Sequence, residues 1–411
     1  MQINAWFLFI TLALFLFWKL ELFATLLNLK ALSPEIPEAF QEFVDEDAYE
    51  QSQEYTKEKS VLGIVSGIAS LVILFTFWWL GGFGWLDGVV RGWGQGPIVT
   101  GLIFIGTLMV AQQIISVPFD LYGTFVLEEK FGFNRMTFST WFRDHLKAAI
   151  LGVSIGAPLL AALLWLFQSV PMAWLWGWVL VTAFSLGLTY VAPTWIMPLF
   201  NKFEPLDDGE LKSEIHAMAE KCEFPLKEVT VMDGSKRSAK SNAFFTGLGD
   251  NKRIALFDTL IENHTVPELA GVLAHEIGHF KKGHIIKSLV IGIFTTGAMF
   301  FLLGLMMENR SLFDAFGLEK TSVYVSLVLF GLVISPVNEL LSVAGNWMSR
   351  KHEFEADAYA AKVTGNPEAM ANALRKLSKD NLSNLTPHPF YVFLNCTHPP
   401  VVERVRALGV E

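Results

Sequence analysis

Two histidines stand four residues apart in the chain, a spacing that suits a metal ion. They belong to the stretch His275-Glu276-Ile277-Gly278-His279. Residues four apart lie on one face of an α-helix, so both imidazoles can bind one Zn²⁺. Glu276 follows the first histidine and can take a proton from a water molecule beside the metal. The pattern predicts a zinc hydrolase; the alternative is a surface helix whose two histidines bind no metal.

A catalytic zinc site also needs a third protein ligand and one open position. The best candidate is Glu353, because Asp357 lies one turn further along the same helical face and can support the site from behind. Glu355 points to a different side of that helix and is expected to be solvated. Three histidines are rival candidates for the third ligand: His284, His352 and His398.

The residues before the histidine pair predict the elements that must hold it. Thr265 and Glu268 have the spacing of a capping box, which predicts that the helix begins at Thr265. The preceding polar segments have the patterns of one amphipathic helix and three strands: 211–222, 228–232, 243–246 and 253–257. Residues 247–251 separate the last two strands and predict a hairpin turn.

The composition places much of the chain in a membrane. Of its 411 residues, 52% are hydrophobic and only 17% are charged. Soluble globular domains usually carry about 25% charged residues. The shortage of charge excludes a disordered chain, and the net charge of −9 also argues against a nucleic-acid partner. Two cysteines, Cys222 and Cys396, are too few for a disulfide framework.

The apolar residues are collected in blocks that are long enough to cross a bilayer. A membrane-spanning helix needs about 20 predominantly apolar residues. Seven runs meet or approach this length: 4–28, 61–80, 98–117, 148–168, 171–200, 285–307 and 321–340. The expected fold is therefore predominantly α, with a bundle of seven transmembrane helices and an α+β zinc metalloprotease domain.

The distribution of basic residues predicts how the chain is arranged across the membrane. Lysine and arginine are concentrated in the loops after the first and third runs and after the last run. The positive-inside rule then places the N-terminus outside and the C-terminus inside. Residues 1–200 would hold the first five membrane helices, and 285–340 the last two. The polar segments 201–284 and 341–411 would lie on the same side and fold together as the metalloprotease domain.

The zinc motif and residues 353–357 together resemble a known family. The second segment reads Glu353-Phe354-Glu355-Ala356-Asp357. Both are similar to signatures of the type I CAAX prenyl endopeptidases, which are integral-membrane zinc metalloproteases of the gluzincin kind. Further similar segments are 128–134, 198–203, 237–244, 398–400 and 403–404. The resemblance extends from about the second apolar run to the C-terminus, and the number of apolar runs agrees with it.

The resemblance implies which residues hold the metal and move protons. His275, His279 and Glu353 would bind one Zn²⁺ ion. Glu276 would act as the general base and then return its proton to the leaving amine. The membrane helices would enclose a large water-filled chamber, and the active site would face this chamber.

The resemblance also implies roles for residues around the metal. Asp357 would orient the first zinc histidine or assist proton donation. His398 and Arg404 would hydrogen-bond the oxyanion or the substrate backbone; a structural ion pair is the alternative role of Arg404. The substrate peptide would lie against an edge strand that contains three residues: Asn242, Ala243 and Phe244.

The resemblance implies removal of the last three residues after a prenylated cysteine. The first alternative is a membrane-protein quality-control metalloprotease of broad specificity; a transporter or a non-catalytic zinc scaffold would be other classes. The expected partners are a peptide or protein substrate and the lipid bilayer, with no nucleic acid. The protein is expected to be a multi-pass membrane protein, in the inner membrane of a bacterium or in the endoplasmic reticulum or nuclear envelope of a eukaryote. Substrate and oligomeric state stay open.

Overall fold

The computed structural model describes residues 1–246 and 252–410. Within these residues seven helices are long and apolar enough to cross a membrane, which confirms the predicted number of spans. The helices before the sheet are α1 (Ala5–Lys30), α2 (Glu46–Trp79), α3 (Gly82–Gly92), α4 (Pro97–Lys130), α5 (Phe138–Ser169) and α6 (Ala173–Leu199). The later helices are α7 (Glu210–Lys221), α8 (Asp258–Asn263), α9 (Val266–Lys281), α10 (His284–Met306), α11 (Arg310–Ala315), α12 (Val323–Thr364), α13 (Pro367–Asp380), α14 (Pro389–Asn395) and α15 (Val401–Ala407).

Seven of these helices form the membrane-spanning part: α1, α2, α4, α5, α6, α10 and α12. A helix satisfies most of its backbone hydrogen bonds within itself, as a segment in hydrocarbon must. Many of their large apolar side chains are not covered by protein, among them Leu16, Val72, Ile114 and Phe294. Contact of such an apolar surface with lipid is favourable, whereas its contact with water is unfavourable.

Four membrane helices extend well beyond the apolar runs that predicted them. Helix α2 begins 15 residues before its run and α5 begins 10 residues before its run. Helix α4 continues from residue 117 to Lys130, and α12 continues from residue 340 to Thr364. Hydropathy marks only the part of a helix that lies in lipid, so the polar continuation of α12 was not predicted as part of the span. This continuation matters, because it carries Glu353 and Asp357.

A four-stranded sheet lies in the polar part of the chain, with strand order β1-β2-β4-β3. The strands are β1 (Phe203–Pro205), β2 (Leu226–Met232), β3 (Ala243–Thr246) and β4 (Lys252–Phe257). β2 and β4 are parallel, whereas β1–β2 and β3–β4 are antiparallel. Among the described strands β3 pairs only with β4, so it is an edge strand. The turn predicted at 247–251 lies outside the described residues.

One hydrophobic core joins the two polar segments of the chain. Ile254 of β4 and Leu273 of α9 belong to the same buried cluster as Ala360 of α12, Leu374 of α13 and Val405 of α15. Full burial of an aliphatic side chain of this size contributes about 1.5–3 kcal/mol. The shared core therefore holds α9 and α12 against each other, and these helices carry the histidine pair and Glu353.

Candidate active site

The helix with the histidine pair, α9, has a capping box at its N-terminus. Thr265 is the N-cap residue of α9, and the predicted capping box with Glu268 is present. The backbone N–H of Thr265 donates to Oε2 of Glu268 at 2.8 Å, and Nζ of Lys376 donates to the same oxygen at 2.7 Å. Burial opposes the charge of Glu268, but the bonds from Lys376 and Thr265 outweigh it and hold the pKa of Glu268 below its usual range. The cap and ion pair fix the start of α9 on α13.

A glycine allows α9 and α12 to approach each other closely. A Cβ atom on Gly278 would lie 3.2 Å from the Cα atom of Ala356 and 3.2 Å from its carbonyl oxygen. Such a distance is tighter than an ordinary van der Waals contact, so a larger residue would push the helices apart. The close approach brings Glu353 of α12 to the two histidines of α9.

The three predicted metal ligands come together in the structure. Nε2 of His279 lies 3.1 Å from Nε2 of His275. Oε1 of Glu353 is 3.2 Å from Nε2 of His279, and Oε2 is 3.5 Å from Nε2 of His275. These atoms all lie within 4.8 Å of one another, and no other cluster of this kind occurs among the described residues.

The donor set fits a divalent cation. Glu353 and His275 are 4% and 7% exposed, so water cannot freely solvate them. An ionised carboxylate offers only lone pairs, and each imidazole can present one at Nε2. Lone pairs of nitrogen and oxygen that converge in a buried space would be satisfied by one divalent metal ion, and two histidines with one carboxylate are a typical ligand set of catalytic metal sites.

A buried carboxylate supports the first histidine. Oδ1 of Asp357 lies 2.8 Å from Nδ1 of His275, while Arg404 donates to both oxygens of Asp357 at 2.7 Å. Nη1 of Arg404 also lies 3.1 Å from Oε2 of Glu353. Burial lowers the pKa of Arg404, but Asp357 and Glu353 outweigh that effect and raise it. Arg404 therefore remains charged and holds two carboxylates in fixed positions.

Glu276 and His398 occupy the open side of the cluster. Burial raises the pKa of Glu276, although the neighbouring charges of His275 and His279 oppose the shift. A carboxylate with a raised pKa takes up a proton more readily, which suits a general base. Nε2 of His398 lies 3.6 Å from Oε1 of Glu353, and burial lowers the pKa of His398.

The open side faces a cavity of about 1280 Å³. Its wall includes Glu276, His398 and Arg404, together with residues of the membrane helices α1 and α2: Trp18, Glu21, Leu22, Gly63, Ile64 and Gly67. Asn242 and Ala243 also line the cavity. Phe244 is not part of the described wall; its ring makes an edge contact with Phe257, with 6.2 Å between centroids. Of the three predicted edge-strand residues, Asn242 and Ala243 thus line the cavity, and Asn242 lies directly before β3 rather than in it.

The segment before the edge strand is anchored from three directions, which sequence reasoning missed. Nζ of Lys240 lies 2.8 Å from Oε2 of Glu128 on α4 and donates to the hydroxyl of Tyr55 on α2 at 2.7 Å. The next residue, Ser241, exchanges backbone hydrogen bonds with the side chain of Asn381 at 3.2 and 3.3 Å. No local pattern connects these residues, because the contacts join segments that are far apart in the chain.

Glu355 lies outside the three-residue cluster and keeps partial contact with water, with a side chain that is 35% exposed. It also has a partner that the sequence did not predict, because its Oε2 lies 3.1 Å from Nε2 of His284. His284 contacts His279 in turn, and the ring of His352 stacks on His284. The rivals His284, His352 and His398 lie beside the three-residue cluster and are not members of it. The position of His284, five residues after His279, was the available signal.

Comparison with known families covers almost the whole chain. Residues 25–202 match the CAAX prenyl protease N-terminal family, described by its five membrane helices, and residues 205–410 match peptidase family M48. The structure superposes on the crystal structure of S. mikatae Ste24p with a TM-score of 0.92 and 32% sequence identity. That match covers 98% of this chain and 99% of the other.

Curated relatives agree with these matches. CAAX prenyl protease 1 of Saccharomyces cerevisiae is 35% identical over 408 residues, which cover 92% of this chain and 89% of the relative. The CAAX prenyl protease 1 homolog of Homo sapiens is 33% identical, covering 91% and 88% respectively. The resemblance inferred from the motifs is confirmed: the chain belongs to peptidase family M48, as a multi-pass membrane metallopeptidase with seven candidate membrane helices and a fold similar to that of Ste24p.

Proposed function

We propose that this protein is a zinc endopeptidase that removes the C-terminal tripeptide after a prenylated cysteine. The observation that carries the proposal is the cavity, whose wall combines Glu276 and the metal cluster with residues of membrane helices α1 and α2. A prenylated peptide has both a polar backbone and a long apolar chain, so it needs a site with both kinds of wall. The relatives that bear the name CAAX prenyl protease 1 support this substrate.

His275, His279 and Glu353 would hold the Zn²⁺ ion, which when bound polarises the scissile carbonyl and acidifies water. Glu276 would then take the proton from the attacking water and deliver it to the leaving amine. Its place in the cavity wall beside the metal ligands supports this double role. Each of these steps occurs on the cavity side of the cluster, where a substrate can enter.

Residues around the cluster would position the substrate and the ligands. Asp357 would accept a hydrogen bond from Nδ1–H of His275 and so orient that ligand. Arg404 would fix Asp357 and stabilise the negative charge of the oxyanion that develops beside Glu353. His398 would hydrogen-bond the oxyanion or the peptide backbone. The peptide would add to the sheet along the edge strand β3 at Ala243 and Phe244, and beside Asn242, which directly precedes β3. Asn242 and Ala243 line the cavity, which supports this placement.

We further propose that residues 201–284 and 341–411 form one catalytic domain on the cytoplasmic side, with the N-terminus on the opposite side. The membrane helices would lie in 1–200 and 285–340. The shared core of the two polar segments supports a single domain. The excess of basic residues in the loops on one side supports the orientation.

The test is cleavage of two matched peptides by the purified zinc-loaded protein in proteoliposomes. One peptide ends in a CAAX sequence with a farnesylated cysteine, and the other lacks the farnesyl group. We expect release of the intact C-terminal tripeptide, identified by mass spectrometry, with kcat/KM at least tenfold higher for the farnesylated peptide. Equal cleavage of both peptides at several bonds would instead support a quality-control protease. No cleavage of either would contradict an endopeptidase.

A further inference from the structure

A tight turn returns the chain to the second histidine of the motif. Gly283 separates α9 from α10 and has φ of +67°, in the left-handed region that favours glycine. His284 follows it as the first residue of α10 and is 3% exposed. The turn places the buried imidazole of His284 against the side of His279 that points away from the metal cluster.

Three contacts hold the ring of His284. Its Nδ1 lies 3.1 Å from Nδ1 of His279, and its Nε2 lies 3.1 Å from Oε2 of Glu355. The ring of His352 stacks on it, with centroids 3.9 Å apart and planes inclined by 9°. Both nitrogens of His284 are therefore engaged, and the orientation of the ring plane is defined by its neighbour.

The partners assign the proton on each nitrogen. The carboxylate of Glu355 can only accept, so Nε2 of His284 carries a hydrogen and Nδ1 of the neutral ring is an acceptor. Nδ1 of His279 must then be the donor in the contact between the two rings. This leaves the lone pair of His279 on Nε2, the atom that lies 3.2 Å from Oε1 of Glu353 in the metal cluster.

We propose that His284, held by Glu355, is a positioning residue that fixes the tautomer and orientation of the metal ligand His279. The inference rests on the proposed metal site. Asp357 has the same relation to His275, whose Nδ1 it contacts at 2.8 Å. The two histidines of the motif thus have separate supports, a carboxylate directly behind one and a histidine–carboxylate pair behind the other.

The test compares two substitutions of the same shape, one polar and one apolar. In His284→Asn the side-chain oxygen can occupy the place of Nδ1 and accept from His279, whereas His284→Leu has similar bulk and no acceptor. Loss of an outer hydrogen bond to a metal ligand reduces metal affinity by about 10- to 100-fold. We therefore expect zinc to dissociate into a chelator about 10- to 100-fold faster from the Leu variant, and near the wild-type rate from the Asn variant.

The Co²⁺-substituted proteins provide a second readout that does not depend on activity. The visible absorption bands of Co²⁺ report ligand geometry, so they should change in His284→Leu and be restored in His284→Asn. His264→Gln is the control, because His264 is also buried in this domain and its Nδ1 contacts only the carbonyl of Leu260 among the described residues. We expect it to lower thermal stability without changing either metal readout.

A wild-type zinc release rate and an unchanged Co²⁺ spectrum in His284→Leu would overturn the inference while leaving the metal site intact. If His284→Leu does not fold, Glu355→Leu replaces it, because leucine offers no acceptor to Nε2–H of His284. Unchanged zinc release and an unchanged Co²⁺ spectrum in Glu355→Leu would then overturn the inference. A wild-type protein that binds no stoichiometric zinc would instead contradict the metal site, and with it this role of His284.

Discussion

At the scale of single residues, the site depends on buried groups that satisfy each other. Arg404 is the clearest case, because its guanidinium bonds both oxygens of Asp357 and also faces Glu353. All three side chains are less than one-tenth exposed, so none of them can turn to water. Removal of one partner from a buried ionic group is costly because the remaining charges lose their counter-charge.

Arg404→Gln should therefore destabilise the fold and reduce metal retention. We expect the free energy of unfolding to fall by about 3 kcal/mol or more, the range found when a buried ion pair loses one partner. The melting temperature in detergent and the zinc content after dialysis check this. Arg406→Gln is the matched control, since Arg406 lies exposed on the same helix. Equal melting temperatures for both variants would count against the role of Arg404.

At the scale of elements, the site is made by two helices that pack unusually closely. Helix α9 supplies His275, Glu276 and His279, and the polar end of α12 supplies Glu353. No loop carries any of these residues, so the distances between them depend on the helix–helix separation. Gly278 lies at the contact between the two helices. A Cβ atom added to Gly278 would lie only 3.2 Å from the backbone of Ala356 on α12.

Gly278→Ala should weaken metal binding although it raises intrinsic helix propensity. The added methyl group would push α12 outward by a few tenths of an ångström and move Glu353 away from the histidines. We expect about tenfold faster zinc loss to a chelator, in keeping with the effect of disturbed ligand support. Gly292→Ala is the control, because nothing lies within 4 Å of that Cβ position in α10. The same zinc loss in both variants would refute the importance of this contact.

At the scale of the whole molecule, the membrane helices are connected to the edge strand of the sheet. Lys240, two residues before Asn242, pairs with Glu128 of α4 and bonds Tyr55 of α2. Helices α1 and α2 line part of the cavity. Helices α2 and α4 also hold the segment that leads into the strand along which the substrate is proposed to lie. Ser241 of the same segment forms two hydrogen bonds with the side chain of Asn381. The segment is therefore held by the membrane helices and by the polar domain.

Glu128→Gln should loosen this strand and weaken substrate binding without affecting the metal. Loss of a charged hydrogen-bonded pair costs about 1.5 kcal/mol, or about tenfold in affinity. We expect KM for the peptide to rise about tenfold while zinc content stays at the wild-type level. Glu54→Gln is the control, because Glu54 forms an exposed ion pair with Lys130 that contributes little. A KM that is unchanged in Glu128→Gln would contradict the connection.

Sequence reasoning succeeded where chemistry is local and failed where it depends on packing. The spacing of His275 and His279, the capping box at Thr265 and the seven apolar runs follow from periodicity within one segment. The partner of Glu355 could not be predicted, because the contact with His284 exists only once α10 packs beside α12. The parallel pairing of β2 with β4 was not predicted for the same reason.

The central claim is that Glu276 activates water in a metal site that the other residues hold. The most direct measurement compares zinc content and cleavage of the farnesylated peptide in wild type and Glu276→Gln. Gln keeps the size of the side chain but cannot take a proton, so the account predicts one zinc per chain in both proteins and loss of turnover by at least about 100-fold in the variant. Wild-type turnover in a zinc-loaded Glu276→Gln protein would contradict it.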